Sequence, residues 1–333
     1  MCGANWCSLE EYMVRSHRFI VEITLLFLLA AQSASAQQKD LRKIRLSVFR
    51  IDSAIVAAKV NGYFAAEGLE PEITETPNST DQMRGVSQGK FDIVSTAFDN
   101  VLAWSGKEGA DIIAVAQIRD KTELPVFVRP EIKDWSDLKG KKLAADAVDT
   151  AFALVLRRIL LEHGLDMTKG DYELIALGAT GARLESMIKG ETYAGILNPP
   201  FDAKALAAGM RRIGDSTEVL PDYPNTLFAV NRAWAQSNRE TLIAYLRAWL
   251  KGMAWNNDPA NREAAIKAVG AELKLNPKQA QESVEELSKT GNLNLHGLQV
   301  VLDLRNQFGF KLTKGDKLPV YYDTQYFNAA KGK

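Results

Sequence analysis

Apolar and polar positions recur along the chain with two alternating periods, one typical of strands and one typical of helices. Ile44, Leu46 and Val48 occupy every second position and predict a strand over Lys43–Phe49. The next apolar segment has helical spacing and ends at Gly68, which predicts a helix over Ser53–Ala66. The series continues with strands predicted over Glu70–Thr74, Phe91–Ser95, Val101–Trp104 and Ile112–Gln117, and a helix over Thr80–Gln88. Strands that alternate with helices indicate an α/β unit with a largely parallel sheet.

A second α/β unit follows the extended segment Glu123–Arg129. Its predicted strands are Lys141–Ala145, Tyr172–Ala176, Tyr193–Leu197 and Arg212–Ile213. Its predicted helices are Ala151–His163, Ala182–Lys189 and Phe201–Ala208. This unit has its own sheet and its own helices, so the pattern predicts a separate lobe.

The C-terminal third turns helical after a last extended segment, Thr226–Val230. Helices are predicted over Arg239–Trp255, Asn261–Val269, Pro277–Glu286 and Leu298–Phe308. Helices must bury their apolar stripe on another element, so we expect this layer to pack on the first lobe. Two extended crossovers, near 119–128 and 225–231, would then join the lobes. Residues 37–124 and 228–333 form the predicted lobe one, and residues 125–227 form lobe two.

The N-terminal segment, residues 1–36, has the pattern of a secretory signal peptide. Phe19–Ala31 is an apolar run of about 13 residues, shorter than the roughly 20 that cross a bilayer. The small residues of Ala34-Ser35-Ala36 predict cleavage before Gln37, and Met13 is the predicted true start. The chain is therefore expected in the periplasm.

Composition narrows the chemistry of the mature chain. Residues 1–36 contain both cysteines, 2 of the 41 basic residues and 3 of the 41 acidic residues, so 39 basic and 38 acidic residues remain. Without cysteine, neither a disulfide nor a thiolate site can form. The balanced charge argues against a nucleic-acid partner, which would favour a basic surface.

Five segments carry a family resemblance: Ala57–Glu70, Gln88–Ile93, Asp137–Lys142, Leu160–Asp166 and Met187–Glu191. In order and spacing, the chain resembles the type II periplasmic substrate-binding proteins of ABC transporters, in the group for nitrate, sulfonates, taurine and thiamine-pyrimidine precursors. The resemblance extends from about Lys43 to Gly315. It implies an α/β fold of two lobes, with two parallel-rich sheets joined by two crossover strands and the helical C-terminal part on lobe one.

The resemblance also implies a function. The expected protein is the solute-binding subunit of an ABC-type importer, which captures a small polar molecule by hinge closure and presents it to a permease in the inner membrane. It would act as a monomer without a cofactor. Two alternatives remain open: a periplasmic sensor-type binder, and an enzyme of the same fold that is similar to a pyrimidine synthase or a decarboxylase.

Candidate ligand contacts lie where strands end and helices begin, because strand carboxyl ends and free helix N–H groups face the cleft in such folds. In lobe one they are Arg50, Asp52, Ser53, Thr96, Phe98, Asp99 and Gln117. In lobe two they are Asp146, Asp149, Thr150, Asn198 and Phe201. The polar members also include ordinary helix N-cap residues, and the two phenylalanines could fill the core instead.

The charge of these loops bears on the ligand. Asp52, Asp99, Asp146 and Asp149 would each repel a nearby anion by about 1–4 kcal/mol, and Arg50 and Arg119 would offset part of that. The loops therefore favour a neutral polar or cationic ligand, heteroaromatic and nitrogen-containing ones included, over a sulfonate or nitrate.

Catalytic and metal motifs are not recognised in the mature sequence. Its histidines are His163 and His296, and it has no HExxH segment, no EF-hand loop and no GxGxxG segment. A pyrimidine synthase of this fold depends on a motif that contains cysteine and histidine, and the mature chain has no cysteine. We therefore expect neither a catalytic site nor a metal site.

Overall fold

The computed structural model describes residues 41–76 and 78–332. The predicted signal peptide, the start at Met13 and both cysteines lie outside the described residues. Within that described part, no helix is both long and apolar enough to cross a membrane.

The first sheet has five strands: β1 Arg42–Val48, β2 Leu69–Glu75, β3 Ile93–Ala97, β4 Ile112–Gln117 and β10 Thr226–Asn231. Their order is β2-β1-β3-β10-β4. β1 pairs in parallel with β2 and β3, whereas β10 is antiparallel to β3 and β4. Val94 and Ala229 belong to one apolar cluster, and Ile93 and Phe228 belong to another. Both faces of this sheet are covered, which explains the nearly continuous apolar runs in its central strands.

The second sheet repeats the same plan with β5 Pro125–Val128, β6 Lys141–Ala145, β7 Tyr172–Ala176, β8 Ala194–Ile196 and β9 Arg211–Asp215. The order is β7-β6-β8-β5-β9. β6 is parallel to β7 and β8, and β5 is antiparallel to β8 and β9. Both sheets are thus mixed, because β5 and β10, the strands that arrive from the other sheet, run against their neighbours.

Helices surround both sheets. Those packed on the first sheet and on one another are α1 Ser53–Val60, α2 Tyr63–Ala66, α3 Ser79–Ser87, α4 Phe98–Trp104, α8 Arg232–Ser237, α9 Arg239–Asn257, α10 Arg262–Leu273, α11 Pro277–Glu285, α12 Leu295–Gln307 and α13 Gln325–Ala330. Those of the second sheet are α5 Ala151–Glu162, α6 Thr180–Ile188 and α7 Phe201–Ala207. We call the two assemblies lobe one and lobe two.

Two local expectations differ from the structure. The predicted helix Ser53–Ala66 is divided into α1 and α2 at Gly62, whose φ of 70° requires the left-handed region. The predicted strand Val101–Trp104 is wrong, because these residues belong to α4. Phe98, Val101 and Leu102 are the apolar residues that α4 buries, which is helical spacing, and a run this short does not distinguish a strand from a helix.

The two crossovers lie side by side. The chain leaves β4 at Gln117 and reaches β5 at Pro125, and it returns from Asp215 to Thr226. The amide of Thr122 donates to the carbonyl of Tyr223 at 3.2 Å, and the amide of Arg119 donates to that of Thr226 at 3.1 Å. The crossovers are therefore bonded to each other and form the covalent connection between the lobes.

The helical C-terminal part packs on lobe one through α9. Trp249 and Tyr245 are fully buried, and their rings meet Phe228 edge-on at 5.2 and 5.4 Å between centroids. Gly252 lets α9 approach α1 closely, since a Cβ there would lie 2.3 Å from the carbonyl oxygen of Ala54. This contact places α9 and α11 over the start of α1.

Candidate functional site

The ends of β1, β3 and β4 lie at one edge of the first sheet, because β1 and β3 are parallel and both β3 and β4 pair with β10 in the same sense. The lobe-one candidates follow these three strand ends. In lobe two, Asp146 and Asn198 follow the ends of β6 and β8, which are parallel. The topology thus brings the predicted residues to corresponding edges of the two sheets.

Asp52 and Ser53 face the helical layer. Asp52 Oδ1 accepts hydrogen bonds from the amides of Ala54 and Ile55, both at 3.0 Å, and from Trp249 Nε1 at 3.1 Å. Its Oδ2 is buried and has no partner among the described residues. Ser53 Oγ donates to the carbonyl of Ser283 at 3.0 Å. Burial raises the pKa of Asp52 above its usual range despite these donors.

Arg50 is exposed and belongs to a charged group at the same corner. Its Nη2 lies 2.5 Å from Glu286 Oε2, and the same oxygen lies 3.1 Å from Nε of Arg119. The Arg119 side chain is only 9% exposed, and its burial lowers its pKa. Glu286 was not among the sequence candidates, since nothing near it in the sequence distinguishes it from other acidic residues of α11 and its end.

Short-range contacts hold the junction between β3 and α4. Thr96 Oγ1 accepts a hydrogen bond from Asn100 Nδ2 at 2.9 Å. Phe98 is 1% exposed and lies in the apolar core. Thr96, near the end of β3, and Phe98, the first residue of α4, therefore position Asp99 in the first turn of α4.

Asp99 forms a buried ion pair at the boundary between the lobes. Its Oδ1 accepts a hydrogen bond from Arg305 Nη1 at 2.8 Å, and the side chains are 2% and 6% exposed. Burial raises the pKa of Asp99; Arg305 lowers it, and the carboxylates of Asp146 and Asp149 raise it. Lobe one and lobe two thus bring charged groups within electrostatic range of one another.

Tyr223 belongs to the same group. It is 3% exposed, and burial raises its pKa well above the usual value, with contributions from the charges of Asp99, Asp146 and Arg305. We call Asp99, Asp146, Asp149, Tyr223 and Arg305 the interlobe cluster. Neither Tyr223 nor Arg305 was predicted; Arg305 lies in an amphipathic helical pattern, 206 residues from its partner.

The lobe-two loop of the cluster is short and internally bonded. Thr150 Oγ1 donates to Asp146 Oδ1 at 2.6 Å, and Asp149 is exposed. Arg183 lies beneath this loop, 3% exposed, and donates to the carbonyls of Gly178 and Ile196. Burial lowers the pKa of Arg183, whereas Asp146 raises it. A small depression here is lined by Asp146, Phe152, Arg183 and Ile196, among others.

Asn198 and Phe201 lie further along the same edge. Asn198 is half-buried, and its Oδ1 has no hydrogen-bond partner within residues 41–76 and 78–332. Phe201 packs against the apolar cluster of α6 and α7, close to Gly181. Asn198 therefore has a free acceptor, whereas the ring of Phe201 is partly committed to packing.

Gln117 joins the two crossovers. Its Nε2 donates to the carbonyls of Arg119 at 2.8 Å and Thr226 at 3.1 Å. The side chain is fully buried, and its Oε1 has no partner in the described part of the chain. Gln117 therefore lies between the two crossovers and contacts both.

The acidic residues of the interlobe cluster do not form a metal site. Among the described residues, no group of three or more His, Cys, Asp or Glu side chains could hold a metal ion. The cluster can offer carboxylate acceptors and one guanidinium that is already paired.

Two α/β lobes, a pair of bonded crossovers and polar loops that meet at the boundary define the class of two-lobed periplasmic binding folds. The chain belongs to the NMT1/THI5-like family, whose sequence model matches residues 53–261. The family and the fold predicted from the sequence are thereby confirmed.

The chain is also similar to one curated protein in sequence and to solved structures in fold. The chain is 22% identical over 244 residues to the formylaminopyrimidine-binding protein of Halalkalibacterium halodurans, a match that covers 70% of this chain and 72% of that protein. The alkanesulfonate-binding protein of Xanthomonas axonopodis pv. citri, solved with MOPS bound, superposes with a TM-score of 0.67 at 18% identity, over 85% of this chain and 99% of that one. The periplasmic nitrate-binding protein of Synechocystis PCC 6803 gives a TM-score of 0.70 at 12% identity, over 88% and 89%.

Proposed function

We propose that this protein is the periplasmic solute-binding subunit of an ABC-type importer and that it binds without catalysing a reaction. The observation that carries the proposal is the interlobe cluster, in which Asp99 and Arg305 of lobe one approach Asp146 and Asp149 of lobe two across the boundary. Support comes from the relatives, which are named as binding proteins for formylaminopyrimidine, alkanesulfonate and nitrate. The predicted signal peptide supports the location.

The ligand is a small polar molecule that is neutral or cationic. Three carboxylates belong to the interlobe cluster, and its one guanidinium, Arg305, is already paired with Asp99. An anion would meet Asp146 and Asp149 without a free cation of the cluster, and the buried Arg183 beneath Asp146 would offset only part of their charge. Asn198 Oδ1, which has no partner among the described residues, adds an acceptor for an N–H donor. Nitrogen-containing heteroaromatic molecules have this combination of features.

Binding closes a hinge. The lobes, with boundaries near Leu124 and near Phe228, rotate about the two crossovers, and the closed form presents a surface from each lobe to the permease. The protein acts as a monomer. Support for these boundaries is that β5 begins at Pro125 in one sheet and β10 occupies Thr226–Asn231 in the other.

Native mass spectrometry on protein taken from the periplasm without refolding tests this function. A stoichiometric small molecule that survives gentle desalting supports a binding protein, and its identity gives the charge. Calorimetry with pyrimidines, amines and sulfonates then compares the classes. The proposal is wrong if the protein is empty, binds no member of the panel and converts one of them.

Asp146→Asn tests the site itself. The asparagine Oδ1 can still accept from Thr150, so the loop is expected to keep its fold while it loses one charge. For a cationic ligand the dissociation constant should rise about tenfold, which corresponds to about 1.4 kcal/mol. Glu173→Gln, an exposed change in β7 of the same lobe, is the matched control and should leave the affinity unchanged. Equal affinities of wild type and Asp146→Asn for a cationic ligand would remove Asp146 from the site.

A further inference from the structure

Helix α12 runs along the boundary between the lobes. Its first turn packs on the return crossover, since a Cβ at Gly297 would lie 2.5 Å from the carbonyl oxygen of Asp222. Along its length, Leu298 and Val301 belong to the same apolar cluster as Leu154 and Val155 of α5 in lobe two. The helix belongs to lobe one and also contacts lobe two.

The last turn of α12 contains a cation, Arg305, that contacts both lobes. Arg305 Nη1 donates to Asp99 Oδ1 at 2.8 Å within lobe one, and it lies 3.4 Å from the carbonyl oxygen of Asp149 in lobe two. The ring of Phe310 lies beneath the guanidinium, with 5.1 Å between its centroid and Arg305 Cζ. Asp99 and Phe310 therefore hold the guanidinium in the place from which it meets lobe two.

A second cation, Arg157, extends from lobe two to lobe one. Arg157 of α5, 6% exposed, places its Cζ 4.0 Å from the centroid of the Phe308 ring, directly after α12. Cation–π contacts are strongest where water is excluded. Each lobe thus contributes one guanidinium to a partner on the other lobe, and both contacts involve the segment Arg305–Phe310.

We propose that Arg305–Phe310 is a latch that holds the two lobes closed, with Arg305 as a residue positioned by Asp99. The proposal rests on the proposed function, because closure matters only for a protein that captures a ligand. Opening separates Arg305 from the Asp149 carbonyl and Phe308 from Arg157, whereas the ion pair between Arg305 and Asp99 moves intact with lobe one. A ligand bound between the lobes is then released only after the latch opens.

The test needs no ligand. Spin labels on cysteines at Glu70 and Glu173, exposed positions in β2 and β7, report the distance between the lobes in the processed chain. Phe308→Ala removes the ring under Arg157 and leaves the interlobe cluster unchanged. Arg305→Lys keeps a positive charge for Asp99 but cannot reach both partners. Either change should raise the ratio of open to closed molecules about 2- to 30-fold.

Leu295→Ala, at the exposed start of the same helix, is the matched control and should leave the distances unchanged. A purely structural role would lower the melting temperature of the Phe308 and Arg305 variants without a longer interlobe distance, and that result would overturn the latch. If the distances are unchanged and mass spectrometry finds a ligand, the latch is wrong and the proposed function stands. If the variants open but the wild type is empty and binds no ligand, the proposed function is wrong and the latch stands.

Discussion

Asp52 and Asp99 are two buried carboxylates in different surroundings. Asp99 has the guanidinium of Arg305 beside it, whereas Asp52 has three neutral donors on one oxygen and no partner on the other within the described chain. Burial raises both pKa values, so the folded state disfavours the charged form of each. The charge on Asp52 therefore costs stability at neutral pH.

Asp52→Asn should become more stabilising as the pH rises. The pKa of Asp52 is raised in the folded state. Protonated Asp52 therefore contributes to stability below its ordinary pKa of about 3.9, and this contribution is lost as the pH rises through the pKa of the folded state. Asparagine keeps an oxygen for the three donors and removes the buried charge. Urea unfolding at pH 4, 6 and 8 should show the variant gaining about 1–3 kcal/mol on the wild type toward pH 8. The exposed change Asp316→Asn should show no such trend, and a difference independent of pH would contradict this account.

Sequence reasoning identified part of these surroundings. The sequence predicts N-cap residues among the polar candidates, and Asp52 is one of them, since it caps α1 through Ala54 and Ile55. Its third donor, Trp249, lies 197 residues away, and Ser53 bonds to Ser283 across 230 residues. Contacts over such separations depend on how the helical layer folds back, and no local spacing in the sequence reports them.

The close contact between α1 and α9 depends on one missing side chain. Gly252→Ala would place a Cβ 2.3 Å from the carbonyl oxygen of Ala54 and 2.9 Å from the amide nitrogen of Ala58, so one helix must move. We expect a loss of about 1–3 kcal/mol or more in the free energy of unfolding.

Gly270→Ala in α10 is the matched control. Its Cβ would have ordinary contacts of 3.5 and 3.6 Å, and alanine favours the helix by up to about 1 kcal/mol. The melting temperature and the urea midpoint should therefore fall for Gly252→Ala and rise for Gly270→Ala. A Gly252→Ala protein as stable as wild type would show that the helices can separate at little cost.

The type of an element, strand or helix, could be predicted where a turn marks its beginning. The strands Lys141–Ala145 and Tyr172–Ala176 form as expected, each directly after a glycine or aspartate turn. The failure at Val101–Trp104 has a physical cause, because a run of four apolar residues, of which Val101 and Leu102 are buried, fits one helical turn as well as a strand. The antiparallel direction of β10 could not be predicted either, since local sequence does not specify a neighbour in the sheet.

The contact between the two crossovers should loosen when Gln117 is replaced. Gln117→Leu keeps the volume but removes the Nε2 donor from the carbonyl of Arg119, whereas the carbonyl of Thr226 still accepts from the amides of Ile118 and Arg119. A buried acceptor left without its donor costs about 1–3 kcal/mol, so amide exchange in residues 118–124 and 216–225 should accelerate roughly ten- to hundredfold. Gln299→Leu, a change at a half-buried position on α12 whose side chain bonds to Asp303, should leave that exchange as it is in wild type. Slow exchange in both variants would mean that the backbone bonds alone hold the crossovers together.

At the scale of the whole molecule, the sequence predicted two lobes and two crossovers because each lobe repeats a strand and helix series of its own. Only part of the interlobe cluster was predicted from the sequence. Asp99, Asp146 and Asp149 follow strand ends, whereas Arg305 and Tyr223 reach the boundary through a helix and a crossover. The charge of the interlobe cluster depends on both groups together, so local sequence patterns do not determine it.

The position of β10 has a consequence for biosynthesis. β10 lies between β3 and β4, yet it is made after the entire second sheet, so the ribosome produces more than a hundred residues between Gln117 and Thr226 before that gap can be filled. During this interval the edges of β3 and β4 that later pair with β10 offer free backbone groups to other chains. A nascent chain of this topology therefore depends on being kept unfolded, or protected by a chaperone, until its last crossover has emerged.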